Sequence, residues 1–281
     1  METVQLVLLL LVSINFVRCN DIGEDGESSN HFTTQLYKTG VDLGIISPEK
    51  YSLEAFERDE NNVFKDLYDE YISLNYSEPI NYSEWIVMNN FGILADTKES
   101  LFERKITKRS TADNKRRFVN TVRRGDILVS GRGIGGIVGH AAIMTTDNIV
   151  LEMKGGPSGT PSNNRQLSKH KWFDIHATDW TTVYRVPNAN VAREAARWAD
   201  HKYYNPSGGA TKTIHITYKI DTNIWKINPS YCSKLVIQAY YFGTGSKKVI
   251  NDDVSVRRVI VPTLIPSYFV SPYKLRNMGK F

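Results

Sequence analysis

Cysteine is scarce in this chain: the 281 residues include two, Cys19 and Cys232. They form no C-x-x-C pair and no H-E-x-x-H sequence occurs, so the sequence predicts no metal site. Cys19 follows an N-terminal apolar run. If that run is removed, Cys232 has no partner for an internal disulfide, and a leftover thiol in an exported protein is either core filler or a reactive group.

Long apolar runs are also lacking. Residues 4–14 are almost wholly apolar, but this stretch is too short to span a bilayer and is typical of a signal peptide. We therefore expect residues 1–19 to be an export signal and the protein to be secreted or held at the cell surface. An uncleaved anchor or a buried N-terminal strand is the alternative.

Nucleotide-binding motifs are missing as well. No G-x-x-x-x-G-K-[ST] sequence occurs, and GRGIGG at 131–136 matches G-x-G-x-x-G only formally. A dinucleotide site requires a helix after these glycines, whereas the strand-like segment HAAIM follows them here. We predict a loop at this position and no cofactor.

The net charge of +5 comes without the features of a nucleic-acid-binding protein. The densest basic run, residues 104–117, contains no aromatic residue on which bases could stack. We expect this run to be a solvated linker and expect no nucleic-acid partner. The basic balance favours association with a cell wall or an anionic membrane surface.

The pattern of elements changes along the chain. Residues 48–104 have the helical period, whereas short β-type runs punctuated by Gly, Asp and Asn begin near residue 122. We predict an α+β fold with a small antiparallel sheet packed on helices. The predicted organisation is a signal peptide (1–19), an N-terminal helical region with a basic linker (20–117) and a domain that contains the strands (118–281).

Cys232 lies in NPSYCSKLVIQAYYF, just inside the start of a predicted helix. Burial as core filler is one interpretation of such a thiol. The other is a nucleophile, because the helix dipole and the free N–H groups at a helix start favour a thiolate. A thiol nucleophile needs a base, which is usually histidine.

The chain offers six histidines: His31, His140, His170, His176, His201 and His215. His170 and His176 flank Trp172 in a predicted polar loop. His140 differs because it opens an apolar strand directly after glycines, where a substrate can approach closely. A structural role and a catalytic role are both open for this residue.

Glu152 lies in IVLEMKGG, twelve residues after His140. The segment between them predicts a hairpin with its turn near 146–148. An odd-length loop places His140 and Glu152 on the same face, as opposite or diagonal neighbours, whereas a two-residue loop would place Met153 opposite His140. An acid inside an apolar strand needs a partner, and a carboxylate that accepts from an imidazole N–H fixes its tautomer.

These segments together resemble the circularly permuted branch of the NlpC/P60 papain-like superfamily, and its YiiX/YaeF-like group in particular. The matching elements are Gly125-Asp126, Gly139-His140, Glu152 and Tyr231-Cys232-Ser233, over roughly residues 120–275. In the usual papain order the cysteine helix precedes the histidine strand, and here this order is reversed.

The resemblance implies that residues 118–281 are a catalytic domain with a permuted papain-like fold, and it implies roles for the site residues. Cys232 would be the nucleophile, His140 the general base and acid, and Glu152 the group that orients His140. The backbone N–H of Cys232 and a second donor would stabilise the oxyanion. Tyr231 is a candidate substrate-binding residue.

We expect a secreted cysteine hydrolase that cleaves an amide, in a peptide or a peptidoglycan stem, through an acyl-thioester. One alternative keeps the same Cys-His-Glu site but uses an acyl lipid, as a thioesterase or acyltransferase. This option arises because the permuted branch resembles lecithin:retinol acyltransferase in layout. A second alternative is a non-catalytic module that binds a cell surface through its basic face.

Overall fold

The structure is a computed structural model that describes residues 26–74, 79–102, 110–131, 133, 135–245, 247–255 and 258–281. The predicted export signal and residues 104–109 of the basic run lie outside these ranges. Within the described ranges, no helix combines the length and the apolar character that crossing a bilayer requires.

The fold belongs to the predicted α+β class, with helices before and between antiparallel strands. The strands are β1 (Ile127–Ser130), β2 (His140–Met144), β3 (Ile149–Met153), β4 (Asn164–Ser168), β5 (Thr181–Arg185) and β6 (Arg276–Lys280). The helices are α1 (Gly26–Asp42), α2 (Leu53–Asp59), α3 (Lys65–Ser73), α4 (Tyr82–Met88), α5 (Thr111–Thr121), α6 (Lys169–Ile175), α7 (Ala189–Tyr203), α8 (Cys232–Phe242) and α9 (Ile265–Tyr268). The described strands form one six-stranded sheet in the order β4-β3-β2-β1-β5-β6.

Both faces of the sheet centre are covered. Along β1, Ile127 and Val129 belong to the larger apolar core, whereas Leu128 between them belongs to a smaller core on the opposite face. Along β2, Ala141 belongs to the larger core and Ala142 to the smaller one. Because each side chain is buried whichever way it points, these strands are short continuous apolar runs rather than alternating ones.

The N-terminal helices extend the larger core. Phe56 and Trp85, which precede the sheet in sequence, belong to the same apolar cluster as Val236 and Tyr240 of α8. The region predicted as a separate helical part over 20–117 therefore shares its packing with the sheet and α8.

The prediction of a solvated linker over 104–117 was wrong for its second half. Residues 111–117 lie in α5, where the Ser110 side chain accepts a hydrogen bond from the Asp113 N–H at 3.1 Å. The buried ring of Phe118 anchors this helix, with its centroid 5.6 Å from that of Phe173 and 5.9 Å from that of Phe281. The cap and the buried ring thus help to fix this basic helix to the protein, together with the ion pair between Lys115 Nζ and Asp174 Oδ1 at 2.6 Å.

Candidate active site

The hairpin of β2 and β3 brings the predicted histidine and carboxylate together. Its register pairs Ala142 with Glu152 and Met144 with Val150. Glu152 is therefore the diagonal neighbour of His140 on the same face, as an odd-length loop predicts. The His140 Nε2 lies 2.6 Å from the Glu152 Oε2, and both side chains are buried.

Cys232 is the first residue of α8, which packs against β2. Its thiol lies beside the His140 side chain and the Ala141 backbone, both of which lower the pKa of the thiol. Because Glu152 engages Nε2 of His140, Nδ1 is the ring nitrogen left for the thiol. The structure thus brings the three predicted residues together in the order Cys232, His140, Glu152, which we call the row, and joins His140 to Glu152 by a hydrogen bond.

The start of α8 is fixed by the backbone of Ile260. The hydroxyl of Tyr231 accepts a hydrogen bond from the Ile260 N–H at 2.9 Å, and the Ser233 hydroxyl donates to the Ile260 carbonyl at 2.5 Å. Tyr231 and Ser233 are fully buried on either side of Cys232. Tyr231 therefore positions the thiol, and its contact with substrate stays a prediction.

The electrostatics of the site favour the charged form of each of the three side chains. Burial disfavours a thiolate, but the hydrogen bond and the charge of His140 outweigh it and lower the pKa of Cys232. Burial opposes protonation of His140, whereas hydrogen bonds and charges of Cys232 and Glu152 raise its pKa to about 10. Burial is likewise outweighed at Glu152, where His140 and Arg165 lower the pKa to about 2. At neutral pH this arrangement supports a thiolate beside an imidazolium.

Arg165 belongs to the site and was not predicted. It lies directly opposite Glu152 in the pairing of β3 with β4, and its Nε donates to the Glu152 Oε1 at 2.6 Å. The two carboxylate oxygens of Glu152 are thus divided between Arg165 and His140. Sequence reasoning missed β4 because N-R-Q-L-S contains one apolar residue, too few for a period-two pattern.

Trp172 and His176 also belong to the site. The polar loop predicted around them was wrong: they lie on and just after α6, where a spacing of four residues puts both rings on one face. Their ring centroids are 4.1 Å apart and lie 5.6 Å and 5.7 Å from that of His140. Burial lowers the pKa of His176, so this ring stays neutral beside the cationic His140.

A cavity of about 370 Å³ opens beside the imidazole and the carboxylate. Its lining consists of His140, Glu152, Lys154, Gly155, Gly156, Arg165, Ile175 and His176. The charges of Lys154, Arg165 and the imidazolium of His140 outweigh the one carboxylate of Glu152 in this lining, which suits a ligand that carries an anionic group. Cys232 itself is 2% exposed, so little of this residue is open to solvent.

One group of side chains in the described residues has ligand atoms close enough for a metal ion. His140, Glu152 and His176 each offer an atom within 4.8 Å of the others. Each already has a protein partner, since His140 and Glu152 bind one another and His176 Nδ1 lies 3.2 Å from Asp179. Hydrogen bonds within the protein therefore already engage all three of these side chains.

The N-terminal helices hold the glycine-rich loop that leads into His140. The Glu70 carboxylate accepts from the Gly135 N–H at 2.7 Å, and the Trp85 indole donates to the Gly136 carbonyl at 2.9 Å. Asn89 accepts from the Val138 N–H at 2.8 Å. We call these three side chains, Glu70, Trp85 and Asn89, the loop clasp.

An α+β fold that brings a thiol, an imidazole and a carboxylate together defines a candidate enzyme with a cysteine at its site. Residues 85–281 match the family described as lipoprotein N-acylation protein LnsA-like, and the chain belongs to this family. An uncharacterized 30.3 kDa protein of Bacillus thuringiensis is 33% identical over 243 residues, which is 85% of each chain. No solved structure matches the chain.

The family match supports one part of the predicted resemblance. The matched residues include Cys232, His140 and Glu152, and the family is related to the papain-like, YiiX-like cysteine hydrolases. Membership of the permuted NlpC/P60 superfamily itself stays a prediction.

Proposed function

We propose that this protein is an acyltransferase that carries an acyl group from a lipid on Cys232 as a thioester and delivers it to an amine. The family match supports this proposal most directly, because the family description names lipoprotein N-acylation and the matched residues contain the whole row. It favours the acyl-lipid alternative over hydrolysis of a peptide or peptidoglycan amide.

In the first half-reaction, the Cys232 thiolate attacks the ester carbonyl of the acyl donor. The tetrahedral oxyanion is stabilised by the backbone N–H of Cys232 at the start of α8. As the carbon–oxygen bond breaks, the alkoxide leaving group takes a proton from the imidazolium of His140. The products are the acyl-thioester and a lipid alcohol, and His140 is left neutral.

In the second half-reaction, an amine attacks the thioester carbonyl. Neutral His140 accepts the proton that the amine nitrogen loses, and the carbon–sulfur bond breaks to release the thiolate. The product is an amide, and the thiolate–imidazolium pair is restored. Glu152 keeps Nε2 of His140 engaged in both steps, so that Nδ1 faces the sulfur.

Burial of the sulfur supports transfer over hydrolysis. Cys232 is 2% exposed and lies within the larger apolar core. A thioester formed there is shielded from bulk water, which would otherwise hydrolyse it. Lys154 and Arg165 at the cavity suit the phosphate of a lipid headgroup.

The test is intact-protein mass spectrometry after incubation with a phospholipid donor. We expect an adduct of one acyl group on Cys232 that hydroxylamine removes, and no adduct on Cys232→Ala. Addition of a lipopeptide with a free amino terminus should discharge the adduct into an amide. Discharge by water at the same rate with and without the lipopeptide would favour a thioesterase, and acylation from a peptide amide would favour the hydrolase.

The non-catalytic binding module makes a different prediction for the same chain. Binding of a cell wall or anionic membrane through the basic face does not require the thiol. A Cys232→Ser variant that folds and retains all activity attributable to the protein would therefore favour the module over the enzyme.

The proposed reaction also bears on location. Lipoproteins are modified at the cell envelope, which agrees with the export signal predicted for residues 1–19. We accordingly propose that the protein works at the envelope, in contact with acyl lipid.

A further inference from the structure

A second cavity lies in the N-terminal helices, away from the residues of the row. Its volume is about 230 Å³, and its lining consists of Phe32, Thr33, Glu60, Lys65, Tyr68, Asp69 and Tyr82. Glu60 begins a π-helical turn, Glu60–Phe64, between α2 and α3. Such turns are frequent at functional sites.

Glu60 is buried without a compensating partner. The residue is 1% exposed, and neither carboxylate oxygen makes a hydrogen bond or an ion pair among the described residues. The buried hydroxyl of Tyr82 has no partner within hydrogen-bond geometry among the described residues either, although burial, the charge of Glu60 and the closeness of its carboxylate raise the pKa of Tyr82. An unpaired buried carboxylate is costly, and such groups in a native protein call for an explanation.

The walls around this carboxylate are aromatic. The rings of Phe32, Tyr68 and Tyr82 line the cavity, and the centroid of Tyr82 lies 5.1 Å from that of Tyr68 and 6.4 Å from that of Phe32. Aromatic faces attract cations, and more strongly when the cation is desolvated. Lys65 lies at the exposed edge of the cavity, where its Nζ donates to the Asn61 Oδ1 at 2.7 Å.

We propose that this cavity binds a small organic cation of the primary ammonium class, with its N–H groups on the Glu60 carboxylate and its charge against the aromatic walls. A primary ammonium has three N–H donors, which satisfy both carboxylate oxygens and the Tyr82 hydroxyl. A quaternary ammonium has none and leaves all three atoms unsatisfied. This inference is independent of the proposed acyl transfer, since it involves no residue of the row.

The test is calorimetric titration of the full chain with ethylammonium, tetramethylammonium and 1-propanol. We expect ethylammonium to bind, tetramethylammonium to bind more weakly and 1-propanol not to bind. In Glu60→Gln, the affinity for ethylammonium should fall about tenfold or more, because a charge-assisted hydrogen-bonded pair is lost. Glu57→Gln is the matched control, since it removes the same charge one helical turn earlier, and it should bind as the wild type does.

A second variant keeps the test decisive if Glu60→Gln fails to fold. Tyr68→Leu removes one aromatic wall and should weaken ethylammonium binding while Glu60 stays in place. Failure of the wild-type protein to bind ethylammonium, or binding unchanged in Glu60→Gln, would overturn the proposal. Equal affinity for tetramethylammonium would overturn the assignment to primary ammonium.

The same chemistry occurs in a free amine and in a lipid headgroup. Free ethanolamine is therefore compared with vesicles of phosphatidylethanolamine, with phosphatidylglycerol vesicles as the control. Vesicle binding that depends on Glu60 would assign the lipid headgroup. Binding of free ethanolamine without such vesicle binding would assign a soluble amine.

Discussion

At the scale of single residues, the site depends on how one proton is shared between Cys232 and His140. The pKa of the thiol is lowered and that of the imidazole is raised to about 10, so the pair holds its proton on nitrogen at neutral pH. Glu152 favours this state through its charge, and His140, followed by Arg165, keeps Glu152 ionised. A reactive thiolate can therefore persist in a buried place.

We predict that a thiol-directed alkylating probe labels Cys232 at pH 7 in a Cys19→Ser background, where it is the single thiol. Labelling should be lost in His140→Ala, because the imidazolium that stabilises the thiolate is gone. Peptide mapping by mass spectrometry measures both. Labelling that begins only near the ordinary cysteine pKa of about 8.5 would instead indicate an inert thiol.

We predict that Glu152→Gln lowers the rate of acyl-thioester formation at pH 7 by about 10²-fold. The wild-type rate should fall as the pH rises through about 10, where His140 loses the proton that the leaving group needs. It should also fall at low pH, where the thiolate is protonated.

In Glu152→Gln the upper limit should move to lower pH, because the carboxylate that helps to raise the His140 pKa is absent. Stopped-flow pH profiles measure this limit. Glu49→Gln, which removes an exposed carboxylate, is the control and should leave the profile unchanged. An upper limit that does not move in Glu152→Gln would exclude Glu152 as the group that positions His140.

At the scale of elements, the strand that carries His140 depends on the loop before it. The loop clasp ties this loop to α3 and α4, and Gly136 lies against the backbone of Tyr71 with φ +81°. A Cβ at Gly136 would come within 2.6 Å of the Tyr71 Cα. The N-terminal helices therefore determine where β2 begins.

We predict that Gly136→Ala lowers both the free energy of unfolding and the rate of thioester formation. Gly159→Ala is a matched control, since Gly159 has φ +87° and a Cβ there meets nothing within 4 Å. Both variants should lose about 1–2 kcal/mol from the left-handed backbone. Gly136→Ala should lose about 1–3 kcal/mol more from the clash, as measured by urea unfolding. Equal losses would mean that the contact with Tyr71 relaxes freely.

At the scale of the whole molecule, the chain has one large core that crosses the predicted boundary near residue 117. Phe64 and Tyr71 of the N-terminal part belong to the same cluster as Leu235 of α8 and Ile143 of the sheet. The family match begins at residue 85, inside the helical part. The segment before residue 85 therefore contributes to the stability of the matched region.

We predict a single cooperative unfolding transition for the intact chain, with equal calorimetric and van't Hoff enthalpies. A chain of residues 85–281 should lack this transition, because the apolar surface that faces the N-terminal helices becomes exposed. Differential scanning calorimetry measures both chains. Two separate transitions in the intact chain, or cooperative unfolding of residues 85–281, would show that the parts fold independently.

Local sequence patterns predicted much of the fold and the core of the candidate site. The α+β class follows from the change of period along the chain, and the closeness of His140 and Glu152 follows from the odd-length turn of one hairpin. These features depend on neighbours within a few residues, where the period of the side chains fixes the geometry.

The remaining features depend on contacts between distant segments. Arg165 reaches Glu152 only because the polar strand β4 pairs with β3, and Trp172 and His176 cover His140 only because α6 folds over the sheet. No local pattern encodes the loop clasp or the unpaired Glu60, since a partner, or the lack of one, is set when helices pack. The sequence by itself determined which groups could react, and the tertiary structure decided their charges and surroundings, because burial and long-range pairing act only once the chain is folded.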